Sequence, residues 1–419
     1  MKINWKNIVL ALSGLIAIVA LVLLVISFFG KPAATPQGGG GFGTSSTVGG
    51  LATSGGISGG VSLPSFATGT STYAGPPIFK IAGGPIVAAT LIEGGAPTTT
   101  SARYITGLDG HVIDLPLDVP GAAPRTVSNT TIPGVLHALF TEAGHGVIVQ
   151  YLQGGTIKSA HLSLPAAGTT TPAAGVTVRF LPDNIMALAA APSGTSIAYA
   201  LSAGNAGLTL YTAAADGSGA KALATTPLSH IQLAWPSKTT LMFYTNSASG
   251  VGGIVFSLDA TTGAIAPLLS GAGITASADP SFASLVHRID SGPRSTLFIE
   301  DLKTGGVVYS APAASSLEAP IPETCVWSTA STTRAYCAAP SSSAPANYLD
   351  LWHSGEASFP SALVSLDGGT GLSLPLATPG SRDGGEPSDM VDLALSQSGQ
   401  YLSFIAKDDG SLWGVRLNR

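Results

Sequence analysis

Residues 185–225 read IMALAAAPSGTSIAYALSAGNAGLTLYTAAADGSGAKALAT, and this stretch decides the fold. Short apolar segments alternate with turns rich in Gly, Ser, Pro and Asp, which is typical of antiparallel strands joined by tight connections. The four predicted strands are Ile185–Leu188, Ile197–Leu201, Leu208–Tyr211 and Ala220–Ala224. The stretch therefore predicts one small four-stranded antiparallel sheet.

The same pattern recurs along the chain after residue 76. Copies begin near Pro85, Gly134, Ile185, His230, Ile274, Ile321 and Met390. Most spacings are about 45–50 residues, which is the period of a β-propeller blade. The last copy ends after three strands, and Ile78–Ile81 can supply the missing fourth strand and close a ring. We therefore predict an all-β, seven-bladed β-propeller over residues 77–419, with six or eight blades as alternatives.

A membrane anchor is predicted before the repeats. Residues 8–29 contain no charge, and 22 residues of helix span the roughly 30 Å of bilayer hydrocarbon. Lys2 and Lys6 precede the segment, which predicts a cytoplasmic tail of residues 1–7 and an extracytoplasmic remainder. A cleaved signal peptide is the alternative, but the apolar run is long for one. Residues 30–76 are rich in Gly, Ser, Thr and Pro and predict a disordered stalk.

The charge composition argues against nucleic-acid binding. Charged residues make up 10% of the chain and the net charge is −5, without long runs of one sign. A protein that binds nucleic acid needs clustered Lys and Arg to displace phosphate counterions. We expect the lipid bilayer, contacted through residues 8–29, and an extracytoplasmic protein or glycan as the partners.

The two cysteines are expected to form a disulfide. Cys325 and Cys337 lie on the first and second strands of one repeat, and a hairpin centred near Ser331 places them opposite each other. The predicted compartment is oxidising, which favours the bond. Two buried thiols are the alternative.

The candidate binding surface comes from two long connections in successive repeats, residues 338–360 and 378–389. Both fall on the same face of the ring, because strands alternate in direction. Aromatic and charged residues on long loops are typical of binding surfaces. The candidate binding residues are Tyr348, Asp350, Trp352, His353, Glu356, Arg382, Asp383, Glu386 and Asp389. The alternative is that Tyr348, Leu349, Leu351 and Trp352 fold back onto the ring.

No catalytic constellation is evident in the sequence. An enzyme of this fold could hold a metal in the channel, but it would need several His or acidic residues on the channel-lining first strands. Those strands offer His137 and His230, with mostly Ala, Leu and Val beside them. His137 and His145 flank a turn, and on a hairpin they could pair across strands. We expect no cofactor; a Ca²⁺ ion bound by Asp383, Glu386 and Asp389 is the one alternative.

Several short motifs resemble a known group of proteins. They are Ala102–Ile105, Gly110–Asp114, Ser128–Pro133, Cys325–Ser328, Tyr336–Pro340, Leu351–Gly355 and Ser411–Trp413. On these residues the chain from about Ile78 to Arg419 resembles the WD-like and TolB-like β-propeller superfamily, and more narrowly a family of uncharacterised bacterial membrane-anchored propellers. The resemblance implies a propeller fold and attachment to the cell membrane, but it implies no activity.

Together these features indicate a membrane-anchored, extracytoplasmic propeller that acts as a binding or scaffold module. The alternatives are an extracytoplasmic lyase or hydrolase with a channel metal, and a structural subunit of an envelope or secretion assembly.

Overall fold

Seven four-stranded antiparallel sheets organise the chain. The computed structural model describes residues 78–94, 99–166, 176–245, 248–291, 294–312, 319–341, 344–377 and 389–417. Each sheet is one blade, and its strands are consecutive in sequence except in the last blade. The predicted seven-bladed β-propeller is therefore confirmed.

The strands are numbered in chain order. The strand before the first full blade is β1 (Ile78–Ala82). Blade 1 contains β2 (Ile86–Gly94), β3 (Thr99–Thr106), β4 (Val112–Pro116) and β5 (Arg125–Ser128). Blade 2 contains β6 (Val135–Thr141), β7 (Gly146–Gln153), β8 (Thr156–Ser163) and β9 (Val178–Phe180). Blade 3 contains β10 (Ala187–Ala190), β11 (Ser196–Ser202), β12 (Leu208–Ala214) and β13 (Lys221–Thr226).

The remaining blades follow the same plan. Blade 4 contains β14 (Ile231–Ala234), β15 (Thr240–Thr245), β16 (Gly252–Asp259) and β17 (Ile265–Ala272). Blade 5 contains β18 (Thr275–Ala278), β19 (Ser284–Ser291), β20 (Arg294–Asp301) and β21 (Gly306–Pro312). Blade 6 contains β22 (Cys325–Trp327), β23 (Arg334–Pro340), β24 (Ser361–Asp367) and β25 (Leu372–Ala377). Blade 7 contains β26 (Met390–Leu395), β27 (Tyr401–Ala406), β28 (Leu412–Arg416) and β1. The described helices are α1 (Tyr348–His353) and three 3₁₀ helices, Glu142–Gly144, Gly204–Ala206 and Pro322–Thr324.

The first strand of blade 3 begins later than the sequence predicts. The strand starts at Ala187 rather than Ile185. Asn184 has φ 54°, a left-handed conformation that interrupts the extended backbone just before this point. Strand boundaries set by backbone conformation are not visible in the apolar pattern alone.

The N-terminal strand closes the ring as predicted. β1 pairs with β28, with Phe79 opposite Gly414 and Lys80 opposite Trp413. A Cβ atom at Gly414 would lie 2.6 Å from Phe79 Cζ, so a side chain at Gly414 cannot be added unless the Phe79 side chain moves. The first and last segments of the described chain thus share one blade.

Apolar clusters between the blades form the core. Each neighbouring pair of blades shares one cluster of buried side chains. The cluster between blades 7 and 1 contains Ile81, Ile86, Tyr104 and Leu412. Because this pair is packed like the others, the circle of hydrophobic contacts is continuous, and burial of this apolar surface stabilises the ring.

A buried ion pair within blade 1 also provides hydrogen bonds to blade 2. The guanidinium of Arg103 donates to both carboxylate oxygens of Asp114, at 2.7 and 2.8 Å. It also donates to the carbonyl oxygens of Gly144 (2.6 Å) and Pro165 (2.9 Å) in blade 2. Arg103 is completely buried, and these partners offset the cost of removing its charge from water.

The predicted disulfide is confirmed. Cys325 and Cys337 are directly opposite on β22 and β23, and their Cα atoms are 4.1 Å apart. The bond excludes the alternative of two buried thiols.

The predicted anchor and stalk, residues 8–29 and 30–76, lie outside the described residues. Within the described ranges, no helix has the length and apolar character needed to cross a bilayer. Membrane attachment stays a prediction from the sequence.

Candidate functional site

Residues 344–360 lie in the connection between β23 and β24, and we call them the clasp. It contains α1. Tyr348 is 3% exposed and Leu349 is completely buried, and both pack against Ile321. The rings of Tyr348 and Phe359 meet edge to face, with centroids 4.8 Å apart. Tyr348 and Leu349 therefore fold back onto the ring, which is the alternative that the sequence left open for them.

The clasp reaches three blades besides its own. The backbone N–H of Ser249 in blade 4 donates to Asp350 Oδ1 at 2.8 Å. The guanidinium of Arg288 in blade 5 lies 5.7 Å from the centre of the Tyr348 ring. Lys407 in blade 7 donates to the carbonyl oxygen of Trp352 at 2.7 Å, and its ammonium lies 4.2 Å from the Trp352 ring centre. These contacts fix the clasp across blades 4 to 7.

Asp389 ties α1 to the C-terminal end of the clasp. Its carboxylate accepts hydrogen bonds from Trp352 Nε1 (2.9 Å), from the backbone N–H of Phe359 (3.2 Å) and from Ser361 Oγ (3.3 Å). Asp389 is 2% exposed, and burial raises its pKa although these donors and Lys407 oppose the rise. This carboxylate is used inside the fold, so it does not present a surface for a partner.

Glu323 forms a second polar anchor under the clasp. It lies in the 3₁₀ helix that precedes β22. Its Oε1 accepts a hydrogen bond from the Tyr244 hydroxyl at 2.7 Å, and its Oε2 is 2.9 Å from His353 Nε2. Burial, with the nearby Glu323 carboxylate, raises the pKa of Tyr244 well above its usual value.

The predicted binding residues thus divide by exposure. Tyr348 and Asp389 are buried, Asp350 and Trp352 are half-buried, and His353 and Glu356 are exposed. Arg382, Asp383 and Glu386 lie outside the described residues. Two of the three carboxylates of the calcium alternative are therefore not described, and the third, Asp389, is hydrogen-bonded within the protein. Glu356 is exposed, whereas the ring of His353 contacts Glu323 and its side chain is 28% exposed.

The clasp connects the second and third strands of its blade. The loops between second and third strands, and those between the fourth strand of one blade and the first strand of the next, lie on the same face of the propeller, which we call the clasp face. Every first strand begins at this face. His137 is the third residue of β6, Asp392 is the third residue of β26, and His230 immediately precedes β14. Their side chains therefore lie at the clasp-face end of the channel.

Two cavities meet at this channel mouth. One, of about 310 Å³, is bordered by the first strands of blades 7, 1 and 2 and includes His137 and Asp392. The other, of about 290 Å³, is bordered by blades 2, 3 and 4 and includes His137, Gln150 and His230. Because His137 lines both cavities, it marks the point where they adjoin.

His137, Gln150 and Asp392 form a polar group in this mouth. His137 and Gln150 are opposite each other on β6 and β7. His137 and Asp392 are both exposed in the channel, but the surrounding protein lowers the pKa of His137, against the opposing effects of Asp392 and Gln150. The surrounding protein raises the pKa of Asp392, and His137 opposes that rise. The expectation that His137 could pair with His145 across a hairpin is wrong, because the turn places His145 next to the 3₁₀ helix Glu142–Gly144 and Gln150 takes the cross-strand position.

The sequence interpretation missed three residues of this face. Glu323, Gln150 and Asp392 acquire their roles only when separate strands meet. The one available signal was Asp392 itself, an acid at an inner position of the apolar segment Met390–Leu395. Within the described ranges, no three His, Cys, Asp or Glu side chains lie close enough together to bind a metal.

Comparison with solved structures supports the fold. The tricorn protease aligns over 81% of this chain and 34% of its own, with TM-score 0.50 and 9% identity. The β-propeller domain of Myceliophteria thermophila Cps50 (Swd1) aligns over 81% of this chain and 100% of its own, with TM-score 0.49 and 12% identity. TolB from Acinetobacter baumannii aligns over 79% of this chain and 63% of its own, with TM-score 0.40 and 13% identity.

These similarities concern the fold alone. No protein-family model and no curated protein sequence matches the chain. The sheets themselves show the seven-bladed propeller fold, whereas membership of the WD-like and TolB-like superfamily or of a membrane-anchored family stays a prediction.

Proposed function

We propose that this chain is a non-enzymatic binding module that recruits an extracytoplasmic protein through the clasp face. The observation that carries the proposal is the clasp, a long insertion fixed by blades 4, 5 and 7 as well as by its own blade. An insertion held in this way presents its exposed residues in one arrangement. A partner then binds without the entropic cost of ordering a flexible loop.

The exposed part of the clasp suits protein recognition. Glu356 is exposed and follows α1, which contains the half-buried Trp352 and, at its end, His353. Charged and aromatic groups on a loop held by a rigid scaffold are typical of binding sites. The predicted helix of residues 8–29 and the predicted stalk would tether the propeller to the membrane without fixing its orientation.

A metal-dependent enzyme has less support. Such an enzyme needs at least three protein ligands in the channel, and the described part of the chain groups no three metal-binding side chains together. Of the described residues, one carboxylate, Asp392, and two imidazoles, His137 and His230, line the two cavities at the channel mouth.

Site-specific photo-cross-linking of the full-length chain in its native cells tests the proposal. A photoreactive residue replaces Glu356 on the clasp face, and a matched control replaces Thr261, an exposed residue in the turn between β16 and β17 on the opposite face. We expect one defined cross-linked protein from position 356 and none from position 261. Equal labelling from both positions, or no defined product from position 356, would contradict the proposed face.

A further inference from the structure

The cavity between blades 7, 1 and 2 combines one charged group with apolar walls. Its lining includes the Asp392 carboxylate, the His137 imidazole and the Thr90 side chain, while the other lining residues are Val, Ala, Leu and Phe. Among the described residues, neither mouth cavity is lined by Lys or Arg. No cation from the described lining of the cavity therefore balances the Asp392 carboxylate.

The backbone directs Asp392 into this cavity. The pairing of β26 with β27 shifts register between Val391 and Ala394, which is a bulge around Asp392. Asp392 adopts φ 51°, a left-handed conformation that is uncommon outside glycine. Bulges re-aim side chains and are frequent beside functional sites. No hydrogen bond from the described residues reaches this carboxylate; the interaction found for it is the electrostatic one with His137.

Gln150 is the cross-strand neighbour of His137. The Gln150 amide nitrogen donates to Ser159 Oγ (3.2 Å) and to the carbonyl oxygen of Ile185 (3.4 Å). In a neutral imidazole one ring nitrogen is a donor and the other is an acceptor. The mouth therefore presents two acceptors to the channel, the acceptor nitrogen of a neutral His137 and the Asp392 carboxylate.

We propose that this mouth binds a primary ammonium group carried on an aliphatic chain, with the ammonium between Asp392 and His137 and the chain against the apolar wall. An ammonium has three N–H donors and one positive charge, so it satisfies both acceptors and balances the carboxylate. A neutral alcohol of the same length brings one donor and no charge. The ammonium can belong to a free amine or to a lysine of a bound protein; in the second case the site would form part of the proposed interface.

Protons compete with the ligand at this site. The titratable groups that line the two cavities are His137 from β6, Asp392 from β26 and His230 before β14, whereas β2 and β10 contribute none. A proton on His137 turns its acceptor nitrogen into a donor and brings a positive charge that competes with the ammonium for the field of Asp392. Amine affinity should therefore fall as the pH drops through the pKa of His137, by up to tenfold per pH unit once His137 is mainly protonated.

Histidine-selective NMR of the detergent-solubilised full chain tests the proposal. The ring resonance of His137, among the seven histidines, is assigned by its loss in His137→Gln. Titration with n-butylammonium should shift this resonance to saturation, and n-butanol at the same concentrations should not. Asp392→Asn should weaken the response at least tenfold while the melting temperature stays close to that of the wild type. Asp183→Asn removes an exposed carboxylate outside both cavities and should leave the response unchanged.

Peptides separate the two sources of the ammonium. A Gly-Gly-Lys-Gly-Gly peptide with blocked ends is compared with the same peptide carrying norleucine in place of lysine. A response to butylammonium alone supports a free amine as ligand, and a response to both butylammonium and the lysine peptide supports a protein partner. Equal responses to butylammonium and butanol, or full amine binding by Asp392→Asn, would overturn the proposal. Neither result would affect the cross-linking at position 356, so the two proposals fail separately.

Discussion

Breaking the bond between Cys325 and Cys337 should destabilise the propeller by about 3 kcal/mol. The bridged residues are 12 positions apart, and closing a loop of about this length in the unfolded chain corresponds to roughly 3 kcal/mol at 25 °C. A propeller of about 340 residues has an entropy of unfolding of roughly 0.7 kcal/mol/K. The melting temperature should therefore fall by about 4 °C on reduction.

Thermal unfolding of the full chain in detergent, with and without a phosphine reductant, measures this effect. Reduction is the cleaner perturbation because it keeps both sulfur atoms in place, and Cys337 is completely buried. The matched control is the double variant Cys325→Ala and Cys337→Ala, which should melt lower than the oxidised protein and should not respond to reductant. Free thiols confirmed by mass spectrometry together with an unchanged melting temperature would refute the loop-closure reasoning.

Two further predictions concern ring closure and pH. Gly414→Ala should destabilise the closing strand by roughly 1–3 kcal/mol, because the new Cβ would meet Phe79 at 2.6 Å. The control Gly83→Ala adds a Cβ in open space and should change the melting temperature little. Equal melting temperatures for the two variants would contradict the close contact. Burial lowers the pKa of His287 from its usual 6.5 to about 4, so the stabilisation from keeping it neutral is complete above pH 6.5 and is lost as the pH falls from 6.5 towards 4. Between pH 7.5 and 5.0 the free energy of unfolding of the wild type, measured with urea, should fall by up to about 2 kcal/mol more than that of His287→Gln. Attraction between a protonated His287 and Glu300, 3.4 Å away, would make the difference smaller. Equal decreases in both proteins would show that His287 does not cause the pH dependence.

The sequence predicts the propeller well because each blade is a local structure. Strands, turns and the next strand lie within one repeat, so the pattern in residues 185–225 contains most of what blade 3 needs. The closing strand is the exception, since β1 pairs with residues more than 300 positions away. It was nevertheless predictable, because the last repeat stops one strand short.

The clasp was less predictable, because its partners lie in other blades. The bond between Ser249 and Asp350 joins residues 101 positions apart, and that between Trp352 and Asp389 joins residues 37 apart. The composition of the loop showed aromatic and charged residues but did not separate those that anchor the loop from those that face solvent. Tyr348 and Asp389 proved to be anchors, whereas His353 and Glu356 are exposed.

The channel mouth could not be predicted from single strands. His137 and Asp392 lie at the two ends of the repeat series and become neighbours only because blade 7 packs against blade 1, beside blade 2. Ring closure, rather than any local motif, creates this pair.

The position of β1 also determines how the protein responds to mechanical tension. Any pull on the chain before Ile78 enters the fold at the outermost strand of blade 7. Tension along the strand axis loads the pairs from Ile78–Val415 to Ala82–Leu412 together, whereas a perpendicular pull peels them in turn from Ile78. Loss of β1 would leave blade 7 with three strands and uncover the Trp413 ring, which Lys80 overlies at 5.4 Å. The other six blades would keep their own strands, so this edge would yield first while the rest of the ring stays folded.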